Sequence, residues 1–203
     1  MSHLGYERLG TGATAVGVKV KGGVVLGAEK RVTYGGYVMS RVGKKVFKIT
    51  DRLAVAAAGL FADMQTLTRI LAAEVRYYEL SLSSKISVYA AAKLLATIMY
   101  SYKHIPFLSE LLFGGIDETG PHLYVIDPVG SVLEDNYAAI GTGAPIAIGI
   151  IESGYRKEMN IEEAAGLVIK AIKAAIARDA ISGDGIDIVL VKPSGAEERS
   201  YRL

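Results

Sequence analysis

The chain has 203 residues, 51% of them hydrophobic, a formal net charge of +2 and no cysteine. That length and apolar content argue for one domain with a large layered core, and the absence of cysteine excludes disulfides, thiolate nucleophiles and thiolate metal sites together. Lys and Arg form no basic stripe that would point to nucleic acid, no uncharged apolar run is long enough to cross a membrane, and Met1 to Gly12 lacks the apolar centre of a signal peptide.

From Thr14 to Val20 apolar or small side chains alternate in the two-residue period of a strand, Gly22-Gly23 breaks it, and Val24 to Arg31 forms a second strand. This is an opening hairpin. Val32 to Ser40 reads as a loop or irregular strand marked by Gly35-Gly36, and Lys45 to Ile49 and Leu53 to Ala58 are strands around an Asp51-Arg52 turn. Leu60 to Leu80 places Met64, Leu67, Ile70 and Leu71 at helical spacing, and Ser87 caps a second helix running to about His104, before Pro106.

Strands return at Leu111 to Asp117, His122 to Asp127 and Ser131 to Glu134, and Asn136 to Ile140 leads into Gly141-Thr142-Gly143-Ala144-Pro145. Pro145 suits a first helical turn, so a third helix covers Ile146 to Tyr155. Asn160 with Glu163 three residues on is a capping-box-like start for a fourth, with Val168, Ile172 and Ile176 on one face to Arg178. Asp179 to Gly185 is a loop, Ile186 to Lys192 a last strand, and Pro193 to Leu203 a polar tail with room for one edge strand.

Strands, two helices, strands, two helices and a strand do not alternate as a parallel doubly wound sheet requires. Hairpin connections imply antiparallel sheets, and two helix pairs that each need an apolar surface imply an α+β, four-layer αββα sandwich. Mean hydropathy of +0.31 fits apolar helix faces, such as Leu94, Leu95, Ile98 and Met99, that exceed what one core can hide.

Other chemistries find little support. Gly10-x-Gly12-x-x-Ala15 fits a dinucleotide fingerprint as a string, but it precedes the first strand and opens no helix. His3, His104 and His122 form no His-Glu-x-x-His pattern, and no Gly-x-Ser-x-Gly elbow exists.

The order of elements, with Gly12-Ala13-Thr14-Ala15-Val16-Gly17, Ala28-Glu29-Lys30-Arg31, Gly43-Lys44-Lys45-Val46, Ala58-Gly59, Phe113-Gly114-Gly115-Ile116-Asp117, Gly141-Thr142-Gly143 and Arg178-Asp179-Ala180-Ile181-Ser182-Gly183, resembles proteasome beta subunits of archaeal type. The resemblance implies the fold of the N-terminal-nucleophile hydrolases and a threonine endopeptidase that acts on unfolded polypeptide. In that family a leader is cut away so that a threonine becomes the first residue, its hydroxyl attacks a peptide carbonyl, and its freed amine takes the proton. A free α-amine, with a pKa near 7.7–8.0, can serve as that base at neutral pH, whereas an amide nitrogen cannot.

By the same resemblance Lys45 sits beside the nucleophile with Glu29 paired to it, Gly59 offers its backbone N–H to the oxyanion, and Thr142, Asp179 and Ser182 orient the amino terminus. Val32, Gly43, Ala57 and Phe61 line the pocket for the residue before the cut, whose expected leaning is hydrophobic. The implied partners are alpha subunits and other beta subunits in stacked rings, with a regulatory ATPase reached through the alpha ring. No metal or organic cofactor is implied, and the expected location is the cytoplasm.

One departure concerns the nucleophile. Counting back from Val16-Gly17, the family's threonine position falls on Ala13, which has no hydroxyl. Thr14 lies one residue later and, by strand period, on the opposite face. Two readings therefore stand. In one, residues 1–13 are a leader removed by autocatalysis, Thr14 is the nucleophile and 14–203 is the mature domain. In the other, Ala13 holds the nucleophile's place and the chain is a catalytically silent ring subunit that assembles with active beta subunits. Thr11, after Gly10, offers a further glycine-threonine junction, two residues early.

Overall fold

The first strand, β1 (Thr14–Val20), turns at Lys21–Gly22 into β2 (Gly23–Glu29), and both are buried almost throughout. This is a computed structural model, and it describes residues 12–203. Met1 to Thr11, which hold most of the expected leader, the Gly10-Thr11 junction and His3, lie outside the described residues.

The chain continues through a short hairpin, β3 (Val32–Tyr34) and β4 (Tyr37–Ser40), then β5 (Val46–Lys48) and β6 (Leu53–Gly59). Helices α1 (Phe61–Leu82) and α2 (Val88–Ser101) follow, then β7 (Ser109–Asp117), β8 (Gly120–Ile126), β9 (Val132–Glu134) and β10 (Tyr137–Gly141). The last elements are α3 (Ala144–Gly154), α4 (Ile161–Ile176), β11 (Ile186–Lys192) and β12 (Gly195–Tyr201).

Two five-stranded antiparallel sheets result, ordered β10-β1-β2-β11-β12 and β5-β6-β7-β8-β9. Three apolar clusters show how they stack. Leu53, Val55, Leu111 and Phe113 pack against Met64, Leu67 and Leu71 of α1 and Leu95 and Met99 of α2. Val16, Val18, Ile186 and Ile188 pack against Ile151 of α3 and Val168 and Ile172 of α4. Between the sheets, Ala13, Ala15, Leu26 and Ala28 meet Ala54, Ala56, Ala58 and Leu112. Alternate residues of one strand thus feed different layers, as the two-residue period demands. The order is helix layer, sheet, sheet, helix layer.

Among the described residues, side-chain caps start two of the four helices. Ser87 accepts from the Ala90 N–H, and Asn160 and Glu163 form a reciprocal capping box. Three elements differ from the sequence expectation. The 32–40 stretch is a regular hairpin whose turn holds Gly35 and Gly36, with a bulge at Val32/Thr33. Helix α2 stops at Ser101, because the Tyr102 N–H bonds the Met99 carbonyl and the Lys103 N–H bonds that of Tyr100, tightening the last turn. The 136–140 lead-in is itself a strand, since β10 needs a partner and finds the open side of β1, pairing Thr14 with Gly141 and Val18 with Tyr137. That edge carries Thr142 and Gly143 to the start of β1.

Candidate active site

Two polar networks flank the start of β1. The first is built around an ion pair. Glu29, the last residue of β2, and Lys45, just before β5, are 0% and 2% exposed at the side chain, and Lys45 Nζ donates to Glu29 Oε1. Lys45 Nζ also donates to the Arg31 carbonyl at 2.5 Å. The other Glu29 oxygen accepts the Arg31 N–H at 2.7 Å and the Gly183 N–H at 2.9 Å. Burial pushes the Glu29 carboxyl up, against the Lys45 charge and these hydrogen bonds, all of which favour the ionised form. Burial likewise pushes the Lys45 ammonium down, against Glu29.

Lys45 opens onto a cavity of about 210 Å³ whose walls include Gly12, Val32, Tyr34, Met39, Gly59 and Phe61. Of the four residues expected to line a pocket there, Val32 and Phe61 do so. Gly43 lies directly behind them, where an added Cβ would stand 2.2 Å from a Val32 methyl. Ala57 is fully buried in the apolar cluster beneath α1 and α2.

The second network is a chain of hydroxyls. Asp179 Oδ2 accepts from Thr142 Oγ1 at 2.6 Å and from Ser182 Oγ at 2.7 Å. Ser182 has one hydroxyl proton and gives it to that carboxylate, so its contact with Thr14 Oγ1 at 2.8 Å is one in which Thr14 donates. Thr14 is fully buried, and Gly143 stands against it so closely that an added Cβ would come within 2.0 Å of Thr14 Oγ1. Thr14 lies on the Val16 and Val18 face of β1, toward α4, and does not line the cavity that Lys45 opens onto.

The 179–184 loop joins the networks, through Ser182 and Asp179 on one side and the Gly183 N–H on the other. Arg31 fastens that loop. Its Nε donates to Asp184 at 2.7 Å, its Nη1 to the Ala180 carbonyl at 2.9 Å, and an added Cβ on Gly183 would collide with its guanidinium. No local sequence pattern marks Arg31 for this part beyond its place two residues after Glu29. Gly59 ends β6 at φ 126°, with the Leu108 carbonyl 2.1 Å from where a Cβ would stand, so only glycine fits. Among the described residues, no group of three or more His, Cys, Asp or Glu is placed to hold a metal ion.

Two antiparallel sheets between helix pairs, with a buried Lys-Glu pair and a hydroxyl-carboxylate chain at the start of the first strand, define an N-terminal-nucleophile hydrolase architecture. Comparison with known proteins narrows the class. Residues 9–191 match the family described as "Proteasome subunit". "Proteasome subunit beta 1" of Hyperthermus butylicus is 58% identical, over 98% of this chain and all of the relative. "Proteasome subunit beta 2" of Pyrobaculum calidifontis is 54% identical, over 97% of each chain. The chain belongs to the proteasome family, as a beta subunit of the archaeal-type 20S core particle. Membership carries assembly into that core with alpha subunits, and the family's chemistry is threonine-type endopeptidase.

Proposed function

We propose that this chain is a catalytically silent beta subunit, which completes the ring and shapes the chamber while other beta subunits cut. The observation that carries this reading is the direction of the Thr14 hydroxyl, which gives its proton to Ser182 on the helix side of β1 while Lys45 faces the cavity on the other side. Ala13, at the family's nucleophile position, brings no oxygen at all. A nucleophile must reach both its base and the carbonyl it attacks, and here the hydroxyl and the lysine occupy opposite faces of one strand.

In this reading residues 1–13 stay attached. The competing reading, self-processing at Ala13-Thr14, requires the Thr14 hydroxyl to leave Ser182 and swing past the strand toward Lys45. The partners are alpha subunits and a beta subunit that carries its own nucleophile. The particle as a whole takes unfolded polypeptide, fed by a regulatory ATPase through the alpha ring, in the cytoplasm.

The test is the intact mass and N-terminal sequence of this subunit, purified from particles assembled with alpha subunits and an active beta subunit. The expected chain retains its leader; one that begins at Thr14 overturns the proposal. An Ala13→Thr variant sharpens it, because the substitution returns a hydroxyl to the Lys45 side. Loss of residues 1–12 and a gain of peptidase activity are expected, and an unprocessed variant would mean that the surrounding groups are no longer arranged for the chemistry.

A further inference from the structure

Gly59 belongs to two cavities. Beyond it from Lys45 lies a second hollow, of about 360 Å³, walled by Ala58, Leu108 and Pro128, with Glu110 and Thr142 at its polar edge. Glu110 is the sole charged residue of that lining. Its carboxylate is held in place, because Oε2 accepts the Gly141 N–H at 2.9 Å. The Thr142 hydroxyl beside it is already given to Asp179 at 2.6 Å. Glu110 is therefore the one anionic acceptor of the hollow.

The two cavities differ in charge. The charged groups of the first are Arg31 and Lys45, each already matched by an acid: Arg31 by Asp184 and Lys45 by Glu29. The second holds one carboxylate that no cation matches among the described residues. An extended chain lying across Gly59 places side chains on both sides of it. An apolar side chain suits the Val32 and Phe61 side, while the stem of a lysine or arginine suits the Ala58, Leu108 and Pro128 walls with its charge at Glu110.

We propose that Glu110 makes this hollow a subsite for a cationic side chain of polypeptide held across Gly59. Such a subsite lets a subunit that does not cut still grip the substrate of its neighbours. The proposal deepens the silent-subunit reading and rests on it for that consequence, but binding is separable from processing. A carboxylate already fixed by a backbone N–H loses little further freedom when it meets its partner.

The experiment compares assembled wild-type particles with particles carrying Glu110→Gln in this subunit, every other subunit being identical. Two fluorescent, uncleavable peptide isosteres are titrated by anisotropy, one with Lys and one with Ala after a Phe. The Lys peptide is expected to bind wild-type particles about fivefold more tightly than Glu110→Gln particles, as for a partly exposed ion pair. Added salt should erase the difference, and the Ala peptide should not distinguish the two. Equal Lys-peptide affinity for both particles, or a difference that the Ala peptide shares, overturns the subsite. A mature chain beginning at Thr14 would overturn the silent reading and leave this binding comparison intact.

Discussion

The networks on either side of β1 are built from different materials. On the cavity side a lysine and a glutamate are buried together, charge against charge, with three backbone groups completing their hydrogen bonds. On the helix side neutral hydroxyls pass one direction of donation, from Thr14 to Ser182 to Asp179. The family's chemistry needs a hydroxyl on the charged side. Here strand parity has put the Thr14 hydroxyl on the neutral side, and the proposed silence of the subunit rests on which face of that one strand bears an oxygen.

The charged side should be the more costly to disturb. Lys45→Ala leaves Glu29 buried without its cation, and breaking a buried pair in this way costs about 3–5 kcal/mol. Denaturant unfolding would measure it. The lone Glu29 would have a folded pKa above its unfolded value, so the native state would bind the proton more tightly and the variant would regain stability as pH falls toward about 4.3. A deficit that does not shrink between pH 8 and pH 5 would show that Glu29 is not the burden. Next in size is Gly143→Ala, whose Cβ would press on Thr14 Oγ1 and on the Ala175 methyl at 2.9 Å. Overpacking there should cost about 1–3 kcal/mol. Pairing it with Thr14→Ala should return part of that loss; simple additivity would mean that Gly143 and Thr14 are not in contact.

The layers were legible because they rest on periodicity. Val16 and Val18 on one face of β1 and Ala13 and Ala15 on the other are assigned to different cores by alternation alone, and the structure keeps them there. The capping box at Asn160 was legible because its two residues sit three apart. Long-range pairing left no such trace. Strand β10 is short and half-buried, and what makes it a strand is the open edge of β1, more than a hundred residues earlier. The same holds within the site: Arg31 fastens Asp184 across 153 positions, a contact that no local pattern encodes.

The neutral side should respond more gently. Thr14→Val keeps the shape and removes one donor, leaving Ser182 still bonded to Asp179, for a loss of about 1 kcal/mol by denaturant unfolding. In assembled particles the same variant should leave peptide hydrolysis unchanged; lost activity would move Thr14 back into the chemistry.

The smallest effect belongs to the clasp between the networks. Asp184 takes Arg31 Nε at 2.7 Å and Arg41 Nη1 at 2.9 Å, and the Arg31 hydrogen bond holds its carboxyl below the usual carboxylate range. A depressed folded pKa contributes stability that is present above the unfolded value of about 3.9 and disappears as pH falls through the folded one. Because Arg41 is 72% exposed and Arg31 23%, solvent should limit the contribution to at most about 1 kcal/mol. Asp184→Asn should therefore unfold slightly more easily than the parent at pH 7, and the two should converge once the pH has fallen through the folded pKa of Asp184. Convergence is the informative outcome, because it separates a lost charge from a displaced loop. A deficit that persists in acid would mean that the 179–184 loop has moved, and with it the Gly183 N–H that Glu29 relies on and the Ser182 oxygen that receives the Thr14 proton.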